Sequence, residues 1–237
     1  MIGGSCVRSA APILLAAALL AGCSETTATL VAPDGKLDVL GPAPNFSTVT
    51  LPNDWVAAGS DAQSRFSVVA HDGIPVLKVT LGEKEAYAVR RVDASLLTTP
   101  YLSWAWNVEA HGQGQHPVRL VIGFRGGPSK SAAPRPRWSG PSLPPHDRLL
   151  ALIWGDSALN RGTLAAGDDG AWPTYTVRGG RENSRTWWLE TVDLAQLYTG
   201  AWPDDNLSSA RLMFIGVAAT ANPRTVVAHV AGVQLSR

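Results

Sequence analysis

The sequence predicts an all-β domain, about ten short antiparallel strands folded as a β-sandwich or jelly roll with one short helix. Three observations carry that prediction. Short apolar runs recur along the chain at strand spacing, with Gly, Pro, Asn and Asp turn signals between them. Within several runs large apolar residues alternate with small or polar ones, the period of a half-buried strand. Only Asp193–Tyr198 carries helical spacing, with Asp193 as N-cap and Leu194, Leu197 and Tyr198 on one side.

The predicted strands are Thr48–Leu51, Arg65–Ala70, Pro75–Leu81, Ala86–Val92, Tyr101–Val108, Val118–Arg125, Leu149–Trp154, Thr174–Arg178, Thr186–Asp193, Arg211–Ala218 and Thr225–Leu235. His71-Asp72-Gly73 reads as a hairpin turn, and Gly179-Gly180 as the close of another. Leu102, Trp104, Trp106 and Val108 fall on one face, as do Val118, Leu120, Ile122 and Phe124. Leu212, Phe214 and Gly216 against Met213, Ile215 and Val217 predict a central strand buried on both sides. The proline-rich 126–147 segment has no periodicity and reads as disordered or a loosely packed surface loop, with a functional excursion the alternative.

Before these strands lies an address. Residues 1–22 read as a signal peptide, with Arg8 followed by an apolar stretch too short for a comfortable span. It ends in Leu20-Ala21-Gly22-Cys23, the order of a bacterial lipobox, so Cys23 is expected to carry lipid, palmitate included. The residues after it lack an Asp, which favours the outer membrane, facing the periplasm. Residues 23–46 then form a polar tether, and 47–237 the sandwich. Cys6 leaves with the signal peptide, so no disulfide is expected.

The 237 residues carry 20 Lys+Arg against 19 Asp+Glu. That balance argues against a nucleic-acid partner, which needs clustered cations. Apolar residues make 45% of the chain, enough for a core and too many for a disordered segment. Nine tryptophans are the compositional oddity. Trp104, Trp106, Trp154 and one of Trp187 and Trp188 read as core fillers, while Trp138, Trp172 and Trp202 lie beside prolines in loops and are the better contact candidates.

The motif order carries a resemblance. Leu51-Pro52-Asn53-Asp54-Trp55, Arg65-Phe66-Ser67-Val68-Val69, Gly73-Ile74-Pro75-Val76-Leu77-Lys78-Val79, Val89-Arg90-Arg91-Val92-Asp93, Pro100-Tyr101-Leu102-Ser103-Trp104-Ala105-Trp106 and Leu152-Ile153-Trp154-Gly155 follow one another. Together they resemble the bacterial "domain of unknown function 3047" family over roughly residues 46–236. The resemblance implies an exported, galactose-binding-like β-sandwich. The chain departs from that family where its acids usually stand: His111-Gly112-Gln113-Gly114-Gln115-His116 replaces an Asp pair, and Ala218-Ala219-Thr220-Ala221-Asn222 replaces an Asp-rich stretch. It resembles a divergent member without those motifs. The terminal strand, with Ala231 and Gly232, offers no calcium ligand. No cofactor is expected.

No catalytic set emerges from the residues. Gly155-Asp156-Ser157 resembles an esterase nucleophile block but lacks its Asp-x-x-His partner, since Thr225-Val226-Val227-Ala228 precedes His229; it reads as a turn. Asp168-Asp169 and Asp204-Asp205 read as solvated turn acids, and Glu190 as a lone strand residue. His111 and His116 read as exposed loop residues without a third metal ligand.

The predicted ligand site is a face. If Tyr101–Val108 and Val118–Arg125 pair, their outward Tyr101, Asn107, Arg119 and Arg125 frame a shallow floor, with Trp138 from the loop nearby. Arginine forks and an amide suit an anionic sugar, unless the 126–147 loop simply covers the floor. The expected function is a lipid-anchored envelope module binding a glycan or an envelope protein. A polysaccharide-active hydrolase or lyase is the alternative, and a structural envelope scaffold the third reading. The sequence specifies no oligomeric state.

Overall fold

The computed structural model describes residues 1, 31–40, 51, 55–59, 61–126, 143–167, 172–222 and 224–237. The signal peptide, Cys23, most of the tether, the strand expected at Thr48–Leu51, Trp138 and Asp168-Asp169 lie outside the described residues, as does most of the 126–147 loop.

The chain is a β-sandwich. Its strands are β1 (Leu37–Asp38), β2 (Trp55–Gly59), β3 (Phe66–His71), β4 (Ile74–Thr80), β5 (Ala86–Ser95), β6 (Tyr101–Val108) and β7 (Val118–Arg125), then β8 (Arg148–Gly155), β9 (Leu164–Ala165), β10 (Thr174–Gly179), β11 (Trp188–Asp193), β12 (Arg211–Ala219) and β13 (Val227–Ser236). A six-stranded sheet runs β11-β6-β13-β4-β3, with β1 also on β13; a seven-stranded sheet runs β2-β5-β12-β7-β8-β10-β9. The chain passes back and forth between them. That is why consecutive strands β5 and β6, or β6 and β7, face each other across the core and do not pair.

Alternation builds the core. Leu102, Trp104, Trp106 and Val108 of β6 point inward against Val118, Leu120, Ile122 and Phe124 of β7. Trp104, Trp106 and Trp154 pack edge to face in a chain, with centroids 5.5 and 5.4 Å apart. Such pairs add about 1 kcal/mol each beyond the apolar area they remove from water. The Trp154 indole N–H donates to the Gly180 carbonyl at 3.1 Å.

The turn between β3 and β4 follows its sequence. Asp72 (φ 53°) and Gly73 (φ 75°) both hold the left-handed backbone of a two-residue hairpin turn. The expected helix is Leu194–Ala201 (α2, after a short α1 at Ala62–Arg65), and the Asp193 carboxylate accepts the Ala195 and Gln196 amides at 2.9 and 3.0 Å.

Four expectations need correction. The sandwich begins before residue 47: Leu37 and Asp38 pair with Leu235 and Gln234, and Leu37, Val39 and Leu40 are buried in the core, so part of the 23–46 tether belongs to the domain. The strands are not all antiparallel, because β10 runs parallel to β8. Gly179-Gly180 closes no hairpin, since β10 and β11 belong to different sheets. A bulge at Met213 shifts the register of β12, so Leu212, Ile215 and Val217 point inward while Phe214 and Ala218 point outward.

Two buried ion clusters also replace sequence expectations. Glu190, 2% exposed at its side chain, meets the Arg178 guanidinium and lies 3.5 Å from Arg161. Because Glu190 is on β11 and Arg178 on β10, the cluster ties the two sheets at their edge, and Arg178 also stacks 3.7 Å over the Trp188 ring. Asp205 is likewise no solvated turn acid. It takes a two-pronged bond from Arg148, at 2.8 and 3.0 Å, and the Tyr198 hydroxyl at 2.9 Å.

Candidate functional site

The predicted floor does not form. Tyr101 and Asn107 lie on the outer face of the six-stranded sheet, whereas Arg119 and Arg125 lie in the seven-stranded sheet, because β6 pairs with β11 and β13 and β7 with β12 and β8. An alternating strand looks the same whether its partner lies beside it or across the core. Arg119 is half-buried near Tyr87 and Glu85; burial lowers its pKa, and these two neighbours oppose that. Arg125 is exposed at the end of its strand, beside Arg211. Trp172 packs on the outer face of the seven-stranded sheet and against Tyr87. Trp202 folds back onto Phe124 and Tyr198 beneath Arg148.

Of the predicted residues, Asn107 enters a concave site. A cleft of about 440 Å³ is lined by His71, Asp72, Asn107, Glu109, Ala110, Arg185 and His229. Its floor comes from strand register. His229 of β13 lies between Asn107 of β6 and Lys78 of β4. Its inward neighbours Ala228 and Val230 are core residues, so period-two alternation turns His229 outward.

One wall is the β3–β4 hairpin tip. The His71 imidazole stacks on His229, with centroids 3.9 Å apart and planes 12° from parallel. Asp72 lies 3.6 Å from the His71 ring nitrogen, and its carboxylate accepts the Trp187 indole N–H at 3.1 Å. Trp187 stands 5.9 Å from His71, at the approach to β11. The opposite wall is pinned by backbone. Arg185, held at φ 63°, donates its N–H to the Val108 carbonyl at 2.8 Å. Glu109 donates its N–H to the Val227 carbonyl at 3.0 Å and accepts the Val227 amide on its carboxylate at 3.2 Å.

Burial holds the His229 imidazole neutral, pushing its pKa down to about 4; His71 and Lys78 act the same way and Asp72 opposes them. The site therefore combines two flat rings, two carboxylates, an amide and a guanidinium, with the Trp187 indole bracing His71 and Asp72 from behind. Among the described residues no three His, Cys, Asp or Glu side chains converge as metal ligands.

The loop from Ala110 to Pro117, which carries the chain between sheets, borders this cleft. His116 is not exposed as expected but fully buried, at 0%, and its Nδ1 accepts the Val118 amide at 3.1 Å. Burial and the neighbouring His111 drive its pKa down to about 3. Asp156 accepts the Gly114 amide at 3.1 Å, and Ser157 caps the short helix at Ala158–Asn160. Those two residues of the esterase-like block thus serve the turn.

Sequence reading missed His71, Asp72, Glu109, Arg185, Trp187 and His229 as one site. The outward position of His229 on its strand was a usable signal. Its meeting with His71 was not, since that depends on which strands neighbour β13.

No family model matches the chain, and no curated protein matches it. Among solved structures it is similar to a family 11 carbohydrate-binding module from Clostridium thermocellum, in complex with a β-1,3-1,4-mixed-linked tetrasaccharide: 9% identity over 86% of this chain and 97% of that one, TM-score 0.41. It is also similar to the family 30 carbohydrate-binding module of the C. thermocellum cellulosomal cellulase Cel9D-Cel44B, at 11% identity over 84% and 97%, TM-score 0.39. A third is the K2 cleaved adhesin domain of Lys-gingipain, at 11% identity over 85% and 100%, TM-score 0.44.

Proposed function

We propose that this protein is a lipid-anchored cell-envelope module that binds a glycan in the cleft on its six-stranded sheet. The observation that carries the reading is the composition of that cleft: flat rings at His71 and His229, with Trp187 packed behind His71, beside hydrogen-bonding groups at Asn107, Glu109 and Arg185. A sugar presents an apolar ring face and a rim of hydroxyls, which need both kinds of surface at once. A cleft of about 440 Å³ has the dimensions of one or two sugar units and stays open to a longer chain.

Anchoring rests on the order of apolar stretch, small residues and Cys23. Cys23→Ala should release the protein from the membrane fraction, and a variant that stays there sinks that half of the proposal. Binding is tested on a glycan array with the full chain in detergent. Retention of at least one glycan, lost in both Trp187→Ala and His229→Ala, is expected; unchanged retention in both variants removes the cleft from the reading.

A second reading has one observation behind it: two carboxylates, Asp72 and Glu109, line the same cleft. Glycoside cleavage uses two converging acids. Release of reducing ends from a retained glycan, abolished by Glu109→Gln, would make the protein a hydrolase or lyase.

A further inference from the structure

Hydrogen-bonding capacity in the cleft is unevenly spent. Each carboxylate is already bound to an N–H of the protein: Asp72 to the Trp187 indole and Glu109 to the Val227 amide. The donors are not so engaged. Among the described residues no carboxylate lies within ion-pair distance of the Arg185 or Lys78 side chain, and no group hydrogen-bonds the Asn107 amide. Arg185 brings five N–H groups in a planar fork and Asn107 two more. The main chain of Arg185 is fixed, by the bond to Val108 and a left-handed backbone, and the residue lines the cleft. A ligand completing this site must supply acceptors, and a planar guanidinium is best matched by a carboxylate meeting it at two points.

We infer that the glycan bound here is acidic, a uronic acid whose carboxylate is held by Arg185 and Asn107 while its ring lies along His71, which Trp187 braces. The inference rests on the glycan-binding reading and adds the ligand's charge. Lys78, paired with His229 on the neighbouring strand, puts a second cation beside the cleft without lining it, and Asp72 and Glu109 set an upper limit on the gain.

The test compares oligouronates (galacturonate, glucuronate, mannuronate and guluronate, about four units long) with their own methyl esters and with neutral hexose oligosaccharides, by titration calorimetry on the full chain in detergent. Esterification keeps ring and length and removes the charge. The expected result is one acid bound at least tenfold more tightly than its ester, with Arg185→Gln removing that preference while leaving the melting temperature unchanged. Equal binding of acid and ester, or binding confined to neutral oligosaccharides, overturns the acidic specificity and leaves glycan binding standing. Binding of none of the three classes overturns both. A preference that survives Arg185→Gln and Asn107→Ala together overturns the assignment to this cleft. An independent readout is the His229 ring proton signals: a carboxylate seated beside that ring raises its pKa, which a neutral ligand does not.

Discussion

The two outer faces of the sandwich are built on opposite plans. On the seven-stranded sheet the outward residues include Val89, Val121, Ala151, Ile153, Phe214 and Ala218, all buried in one apolar cluster with Leu143, against which Trp172 packs. On the six-stranded sheet they are Ser103 and Thr191, whose hydroxyls meet at 3.0 Å, then Ala105, Leu189, Asn107 and His229. A sheet buried on both sides gives up its surface for stability. The sheet left open keeps polar groups in reach of solvent, and the cleft sits at one end of that open face. Both sheets build the core with their inner faces; the difference lies in the outer ones, of which one is covered and the other keeps a cleft open to solvent.

The comparison breaks most easily at Phe214. Its ring fills the covered face and takes the His146 ring edge-on at 5.1 Å. Phe214→Ala should cost about 3–5 kcal/mol, the usual range for an aromatic removed from a packed core. Tyr101→Ala on the open face, at a side chain 41% exposed, should cost less than about 1 kcal/mol. Urea unfolding of the two variants decides it; equal losses would mean the open face is structural too.

Legibility in the sequence divides along the same line. Ten strands and the Asp193-capped helix were readable because alternation and turn residues are local signals, and β6 and β7 begin and end where the pattern does. Sheet membership was not readable. Strands β6 and β7 bear matching patterns because they face each other, so the pattern itself suggested a pairing the chain does not make. The Met213 bulge flips Phe214 to the outer face by one inserted residue, which no periodicity announces. Glu190 reads as unpartnered, and Asp205 and His116 as solvent-facing, because their partners, Arg178, Arg148 and Val118, are known only once the fold is. The cleft combines residues 71 and 229, far apart in the chain, and of its lining only Asn107 lies on the face that alternation picks out in β6 and β7.

Acid should weaken the molecule chiefly through the buried loop between the sheets. His116 is held neutral, with its folded pKa near 3 against 6.5 for the unfolded chain. The unfolded state therefore binds the extra proton first. Stability is full above about pH 6.5 and falls as pH drops toward 3, by about 1.4 kcal/mol per unit at most. From pH 6.5 to 4.5 the loss should reach about 2 kcal/mol. His116→Asn keeps an acceptor for the Val118 amide and cannot titrate, so its stability against pH should be flatter across that window. His229, with its pKa down to about 4, adds a slope of the same sign from the open face. A variant as acid-sensitive as the native chain would clear His116 of the effect.

A single methyl group probes the covered face next. A Cβ on Gly123 would lie 2.1 Å from the Phe214 ring, so Gly123→Ala forces that ring to move. The expected cost is about 2 kcal/mol, typical of overpacking. It should shrink in the Phe214→Ala background, where the opposing ring is gone. Additive losses in the double variant would show that backbone strain at β7, and not the ring, sets the cost.

The smallest effect belongs to Leu189, and it tests the open face most directly. Its side chain is 76% exposed on β11, opposite Ala105 of β6. Most of its apolar surface is in water in the folded state and in the unfolded chain alike, so little burial is lost when it is replaced. At about 25 cal/mol per Å² the remainder amounts to no more than about 0.5 kcal/mol for Leu189→Ser. The backbone ladder to β6 is untouched, because the change is confined to the outward side of the strand. A shift in the urea midpoint well beyond that figure would show that something packs on this face in solution, a second copy of the chain being one occupant that a concentration series detects. An unchanged midpoint, with weaker retention of a long glycan and unaltered retention of a short one, would place the floor of the binding surface along β6 and β11, beyond the cleft itself.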